Sequence, residues 1–322
     1  MIADVLSEKR CFKLVCGAGN ENIAEVKKLV ALYSAAGCTL FDLCAKPEIV
    51  KAAKEGLAHT GIMQDRYLCV SLGIKGDPHI SKAFIDTASC ISCGTCQSVC
   101  PRHAIVETPD GLVVCSDLCI GCQRCVKTCP TNSIAAVSAA KDIKEVLPEL
   151  VALGIDCIEL HAIGEDDNEI LEKWNDISAC FDGMLSCCLD RSKLGNEQIV
   201  ARIRKLIKKR KDYSTIVQAD GAPMSGGKDD YKTTLQAVAH AEIIQNAKLP
   251  VFILLSGGTN SKSAELAKLC GIRPNGVAIG SYARQIVKEY LDRDDFLENP
   301  QAFGAALNIA KQLVSKTLSD LK

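Results

Sequence analysis

The sequence predicts an α/β fold, a (β/α)8 TIM-type barrel interrupted after its third strand by a small cysteine-rich insertion. Three observations predict it. Short, nearly continuous apolar runs alternate with segments of helical periodicity along most of the chain. Eight such runs occur, the number that closes a barrel. The alternation stops once, between residues 86 and 137, where two cysteine runs stand close together.

The eight runs are Phe12–Cys16, Thr39–Leu43, Tyr67–Leu72, Cys157–His161, Met184–Leu189, Thr215–Ala219, Val251–Leu255 and Gly276–Ile279. Runs this short and apolar suit parallel strands covered on both faces. The stretches between them carry apolar residues three and four apart, as in Ile23, Val26, Leu29, Val30 and Tyr33. Ile143, Val146, Leu147, Leu150 and Val151 repeat the pattern, and Pro148 inside it predicts a kink or a restart. An open doubly wound sheet is the alternative. The first run, however, is followed by GAGN at 17–20, which stops short of the GxGxxG of a dinucleotide site. Residues 1–85 and 138–322 are therefore assigned to the barrel and 86–137 to an insertion in the third βα loop.

Apolar residues make up 48% and charged residues 24% of the 322, enough for a full core in a soluble globular protein. A net charge of −1 gives the whole chain no pull toward nucleic acid or an anionic membrane. The densest positive run, RIRKLIKKRK at 202–211, falls on a helix and its C-terminal end, where cations oppose the helix dipole. It lacks the interleaved aromatics of a nucleic-acid surface. The longest apolar runs are strand-sized, so no membrane span is expected. The first residues, MIADVLSEKR, hold no apolar signal core, and a cytoplasmic location is expected. In that setting nineteen cysteines read as metal ligands and reduced thiols rather than disulfides.

The insertion holds CISCGTCQSVCP at 90–101 and CIGCQRCVKTCP at 119–130, the spacing C-x2-C-x2-C-x3-C-P twice. Three cysteines at two-residue intervals wrap one iron–sulfur cubane, and the fourth, before proline, ligates the other cubane. Two [4Fe–4S] clusters of a bacterial-type ferredoxin domain follow. One would use Cys90, Cys93, Cys96 and Cys129, the other Cys119, Cys122, Cys125 and Cys100. Gly94 and Gly121 let backbone N–H groups approach the sulfurs, and Pro101 and Pro130 end the runs. Zinc, which takes paired C-x2-C motifs, would leave the third cysteine of each loop unexplained. Cys115 reads as a small buried hydrophobe. Cys16, Cys44, Cys187 and Cys188 fall at strand ends in no recognised metal pattern, and a third metal site there is the minor reading.

A βα loop lies at the C-terminal face of a barrel, where active sites are built, so the insertion places its clusters beside the barrel mouth. The seventh and eighth strands lead into SGGTN (256–260) and AIGSYAR (278–284). Loops after these strands commonly hold phosphate in this fold. Gly257, Gly258, Thr259, Gly280 and Ser281, with Arg284 as charge partner, are the candidate residues. Flavin mononucleotide or another phosphate-bearing small molecule would fit that chemistry. Glu159 and His161, two residues apart, face the same side of the fourth strand. Asp220 and Lys228 follow the sixth, in a glycine-rich loop that reads as a lid or a long turn. These four are the candidate catalytic residues, with His161 preferred because imidazole changes charge near neutral pH. Lys13, Asp42 and Arg191 lie at comparable strand positions.

FKLVCGAG (12–19), SLGIKGDPH (71–79), the two cluster motifs, QADGAPMSGG (218–227), SGGTN and AIGSYAR follow in this order. Together they resemble the cyanobacterial light-dependent period protein A family, over nearly the whole chain. The resemblance implies an iron–sulfur protein that senses cellular redox state and passes it to a clock. It carries over the eight cluster cysteines and no catalytic residue. Two functions are thus expected. One is a redox sensor or electron relay working through a partner protein or regulator. The other is a flavin-dependent oxidoreductase whose small-molecule substrate lies in the barrel.

Overall fold

The computed structural model describes residues 1–74, 81–138, 143–164, 166–191, 194–221 and 227–322. Eight parallel strands close into a barrel: β1 (Cys11–Val15), β2 (Leu40–Cys44), β3 (Tyr67–Leu72), β8 (Cys157–His161), β9 (Met184–Asp190), β10 (Thr215–Asp220), β11 (Phe252–Ser256) and β12 (Gly276–Ile279). β1 pairs with both β2 and β12, which leaves no open edge. The alternative of an open doubly wound sheet is excluded. Strand ends differ by a residue from the apolar runs at several places. The polar ends Asp190, Asp220 and Ser256 still belong to their strands, because the ladder continues through them.

Helices wrap the outside. α2 (Ile23–Ala36) begins where the Asn22 side chain accepts the Glu25 N–H at 3.0 Å, and ends at Gly37 with φ 100°. α3 (Pro47–Thr60) packs against it at Gly56, where a Cβ would stand 2.5 Å from the Lys27 carbonyl. α6 (Ile143–Ala152) contains Pro148 without breaking. Burial of Leu147 and Leu150 in the main core offsets the one backbone bond that proline cannot donate. The remaining outer helices include α7 (Asp167–Cys180), α8 (Asn196–Ile207), α9 (Tyr231–Asn246), the short α10 (Ser263–Leu269), α11 (Ser281–Gln285) and α12 (Lys288–Leu291), and the C-terminal α13 (Pro300–Asp320). The basic run lies on α8 and just beyond it. Its Arg202 is 2% exposed and donates to the Ala162 and Gly164 carbonyls and to Asp167.

The short helix α1 (Ile2–Ser7) was not expected from the sequence. Val5 and Leu6 pack with Cys11, Leu40, Cys69, Cys157, Met184, Ile216, Phe252 and Leu254 and so plug the N-terminal end of the barrel. Among the described residues no helix is long and apolar enough to cross a membrane.

Between β3 and α6 sits the insertion. β4 (Ser81–Ile85) pairs antiparallel with β7 (Ile134–Ser138), and β5 (Ile105–Thr108) with β6 (Gly111–Val114). Two short helices, α4 (Thr95–Val99) and α5 (Arg124–Thr128), complete it. Its small core is Ile85, Cys96, Ile105, Leu112, Cys125 and Ile134. The β4–β7 ladder reaches beyond both ends of the 86–137 segment marked by the cysteines.

Two cations tie the insertion to the barrel. Lys82 Nζ donates to the carbonyls of Gly19, Ser116 and Cys119 at 2.7–2.9 Å and lies 3.3 Å from Glu21. Arg102 makes a two-pronged contact with Glu25 at the start of α2. Burial opposes ionisation of Glu25, but Arg102 outweighs it, and the Glu25 carboxyl lies below its ordinary range. A lowered folded-state pKa means stability that is present at neutral pH and lost as pH falls through that value. Glu25→Gln should therefore cost about 2 kcal/mol at pH 7 and progressively less below about pH 4, as read from urea unfolding across that range. An unchanged difference at all pH values would show that the pair does not anchor the insertion.

Candidate functional site

The cysteine loops lie one on each side of the insertion. Ser92 and Gly94 in the first loop, and Gly121 and Gln123 in the second, have positive φ of 52°, 73°, 68° and 57°. Each loop thus turns at the same two places and spends its single glycine at a different one. The turns aim backbone N–H groups inward: Ser92 N lies 3.4 Å from Cys90 Sγ. Ala104 N lies 3.3 Å from Cys100 Sγ, and Ala83 N 3.4 Å from Cys119 Sγ. One cavity is lined by Cys100, Cys119, Cys122 and Cys125 together with Ile105, Val114 and Ala136. Burial pushes the Cys125 thiol up to about 11, and its neighbours Cys119, Cys122 and Cys100 add to the effect. On the other side the Cys93 thiol is lowered by the Thr95 hydroxyl and feels Cys129, while Cys96 is raised by burial and feels Cys90 and Cys93. Cys100, Cys119, Cys122 and Cys125 thus share one cavity, while Cys93 has Cys129 as a neighbour and Cys96 has Cys90 and Cys93. An apolar wall, clustered thiols and inward N–H groups suit an iron–sulfur cubane. Cys115 is half-buried rather than buried, and its N–H donates to the Ala104 carbonyl.

The barrel interior holds a second constellation. Lys13 on β1 is 1% exposed, yet its ammonium lies 2.6 Å from Glu159 Oε2, 3.3 Å from Gln218 Oε1 and 3.7 Å from Asp42 Oδ1. Ser71 Oγ donates to Asp42 Oδ1 at 2.5 Å and lies 3.4 Å from Glu159 Oε1. Ser186 Oγ donates to Glu159 Oε2 at 2.9 Å. Six strands thus supply one buried polar layer above the apolar floor. Burial penalises the Lys13 ammonium, but Asp42 and Glu159 reverse the effect and hold its pKa well above the ordinary value. Burial likewise opposes the Glu159 carboxylate, and Lys13 and then His161 hold it well below the usual range. Asp42 is raised, with burial the leading cause.

Toward the C-terminal end of the strands come His161 and Cys188, paired in register across β8 and β9. His161 Nε2 lies 3.6 Å from Glu159 Oε1. Asp220 on β10 is half-buried and neighbours Cys188, Ser256, Glu159 and His161. Burial and then Glu159 push it up to about 6, against the Ser256 hydrogen bond. The structure therefore gathers Glu159, His161 and Asp220 in one place. Lys228 does not join them: it is exposed, and its carbonyl accepts from Asn260. Arg191 is exposed as well. The expected lid falls largely on residues 222–226, outside the described residues. Cys16, Cys44 and Cys187 are buried, and burial raises the thiol of each.

The glycine loops are packed against their neighbours. A Cβ on Gly221 would stand 2.5 Å from the Gly257 carbonyl, so the β10 and β11 loops touch backbone to backbone. Gly257 and Gly258 take positive φ of 65° and 78°. Thr259 Oγ1 donates to the Ala278 carbonyl. Arg284 Nη1 donates to the carbonyls of Val15 and Cys16 at 2.7 and 2.9 Å, beside Gly17. Gly280 lies against Val15, and Ser281 opens a five-residue helix. Two of the expected phosphate-binding side chains are thus engaged with backbone carbonyls.

Sequence reasoning missed Ser71, Ser186 and Gln218. The signal was faint: each is a polar residue inside an apolar run, as Lys13, Asp42 and Glu159 are in theirs.

Residues 149–316 match the profile of the light dependent period A C-terminal domain, and residues 83–140 match a 4Fe-4S dicluster domain. The chain is 31% identical to light dependent period A of Synechococcus elongatus over 97% of its own length and 92% of that protein. Among solved structures it resembles the YdjI aldolase of Escherichia coli K12 at 9% identity and a TM-score of 0.52, over 99% of this chain and 95% of that one. A truncated 3-deoxy-D-arabino-heptulosonate 7-phosphate synthase from Thermotoga maritima gives 10% identity and 0.49, over 95% and 84%. The first of these likenesses bears on the barrel fold alone.

Removing the Lys13 ammonium would leave two buried carboxylates facing each other. Lys13→Met should cost about 3–5 kcal/mol by denaturant unfolding. Lys13→Met combined with Glu159→Gln should cost much less than the two single changes added together. Strict additivity would show that the layer is not a coupled unit.

Proposed function

The chain belongs to the light dependent period A family, and we propose that it relays electrons or registers redox state through two [4Fe–4S] clusters set beside the barrel mouth. Cys90, Cys93, Cys96 and Cys129 would hold one cluster and Cys119, Cys122, Cys125 and Cys100 the other. When bound, such clusters supply one-electron chemistry at fixed positions. The observation that carries the reading is the cavity lined by Cys100, Cys119, Cys122 and Cys125, anchored to the barrel by Lys82 and Arg102.

The two cysteine sets differ in setting. Lys82 links the Cys119 carbonyl directly to Gly19 in the loop after β1, and Arg102, two residues beyond Cys100, grips Glu25. This set faces the barrel. In the other set Cys93 is exposed, and its neighbour Ile91 is 63% exposed. A partner protein would meet the chain on that outer side, where an apolar residue stands beside the ligands. The inner side is held rigidly, so a change of charge in the insertion bears on Lys82, Glu21 and Glu25 and through them on the β1–α2 loop. The chain's own residues thus supply an outward contact and an inward lever. A flavin in the mouth gains no support from the glycine loops, since Arg284, the natural phosphate partner, is spent on the Val15 and Cys16 carbonyls.

Anaerobically purified protein should carry about eight irons per chain. Cys93→Ala and Cys122→Ala should each remove about half of the iron and the matching visible absorbance, through different cysteine sets. Full iron content in either variant would overturn the ligand assignment. Iron-free protein that keeps its fold and its partner contacts would overturn the redox reading.

A further inference from the structure

We propose that Glu159, His161 and Cys188 form a binding site for a borderline divalent cation of the zinc class, inside the barrel mouth and apart from the cysteine loops. The three residues each offer one donor atom, a carboxylate oxygen, an imidazole nitrogen and a thiol sulfur. These atoms lie within 4.8 Å of one another, and all three residues are buried. The fold brings them together by register. Glu159 and His161 stand two apart on β8 and face the same way, and Cys188 is the direct partner of His161 on β9.

The distances suit a shared cation. His161 Nε2 and Glu159 Oε1 stand 3.6 Å apart, within reach of an ion pair when the imidazole is protonated. Two donors bound at about 2.0–2.1 Å to one tetrahedral zinc stand roughly 3.4 Å apart. Glu159 is also turned correctly for the role. Lys13 and Ser186 both hold Oε2, at 2.6 and 2.9 Å, and Oε1, which Ser71 Oγ approaches at 3.4 Å, is the oxygen that faces His161. A ligand oriented in this way by its neighbours is what a metal site requires.

A second trio in the barrel, Asp42, Cys69 and Glu159, meets the same distance test. It is rejected because the Lys13 ammonium, 2.6 Å from Glu159 and 3.7 Å from Asp42, faces both and already serves as the cation between them. Asp220, beside Cys188, adds to the field that would attract a cation.

The donor set also defines the class of ion. Sulfur and imidazole disfavour magnesium and calcium, which take oxygen, and suit zinc or ferrous iron. Binding would displace the Cys188 thiol proton to solvent and form a metal–sulfur bond in its place. Three protein donors leave one position of a tetrahedral ion for water or for an oxygen of a small ligand entering the mouth.

The test uses the cluster-loaded protein under anaerobic conditions, with cobalt(II) as a visible probe and zinc as its competitor. The wild type should retain one equivalent of cobalt through gel filtration and show a thiolate-to-cobalt absorption band that zinc abolishes. His161→Asn and Cys188→Ser should each weaken cobalt binding more than tenfold, with iron content unchanged. Absence of the thiolate band in the wild type overturns the proposal whatever the variants do. So does a band that persists unchanged in both variants, because the cobalt is then held by the cysteine loops.

Discussion

The barrel is organised around one buried ammonium. Lys13 stands at 1% exposure with carboxylates of two other strands beside it. An isolated charge there would be costly, and so would either acid alone. Each is tolerable only while the others are in place, and this binds β1, β2 and β8 to one another across the interior. Ser71, Ser186 and Gln218 then extend the layer to three more strands. Every group in the mouth sits on this layer. Lys13 and Ser186 hold Glu159 Oε2 while Oε1 meets Ser71 and His161, and His161 and Cys188 stand one step further along the same strands.

The layer also divides the interior. Below it, Cys11, Leu40, Cys69, Cys157 and Leu254 form an apolar floor closed by Val5 and Leu6 of α1. Above it, polarity rises toward Asp220 and Ser256. The insertion is attached on the same upper side, through the loop after β1. That loop carries Gly17 against Arg284 and Gly19 against Lys82. Arg284 therefore joins the first and last strands of the barrel, and Lys82 joins the first strand to the insertion.

Most of the architecture was legible in the sequence because parallel strands covered on both faces are short apolar runs, and eight of them with helices between allow few closures. The dicluster insertion was legible because cubane spacing is rigid. Other features depended on tertiary placement. A six-residue helix such as α1 has no periodicity long enough to see, and its role as a plug rests on which strands it meets. Pro148 signals a break in isolation, yet Leu147 and Leu150 hold the helix through it. Arg284 and Thr259 sit where phosphate-binding residues would sit, and only the fold shows their donors turned to the carbonyls of Val15, Cys16 and Ala278. Lys228 looks like a neighbour of Asp220 in sequence and is exposed in space. Ser71 and Ser186 were hidden because serine in a strand is an ordinary small residue until a carboxylate is found opposite.

A barrel whose sole task was to carry the ferredoxin unit would gain nothing from its polar layer. Well-packed apolar side chains of similar volume often replace a buried ion network without loss, and sometimes with a gain of 1–4 kcal/mol. Lys13, Asp42 and Glu159 are therefore poorly explained as stabilisers. The layer is better explained by what stands on it. It fixes one oxygen of Glu159, holds that carboxyl ionised through the Lys13 charge, and places it beside an imidazole and a thiol at the end of the barrel that also carries the cysteine loops. A carrier needs none of these things, whereas a barrel that binds something in its mouth needs all of them.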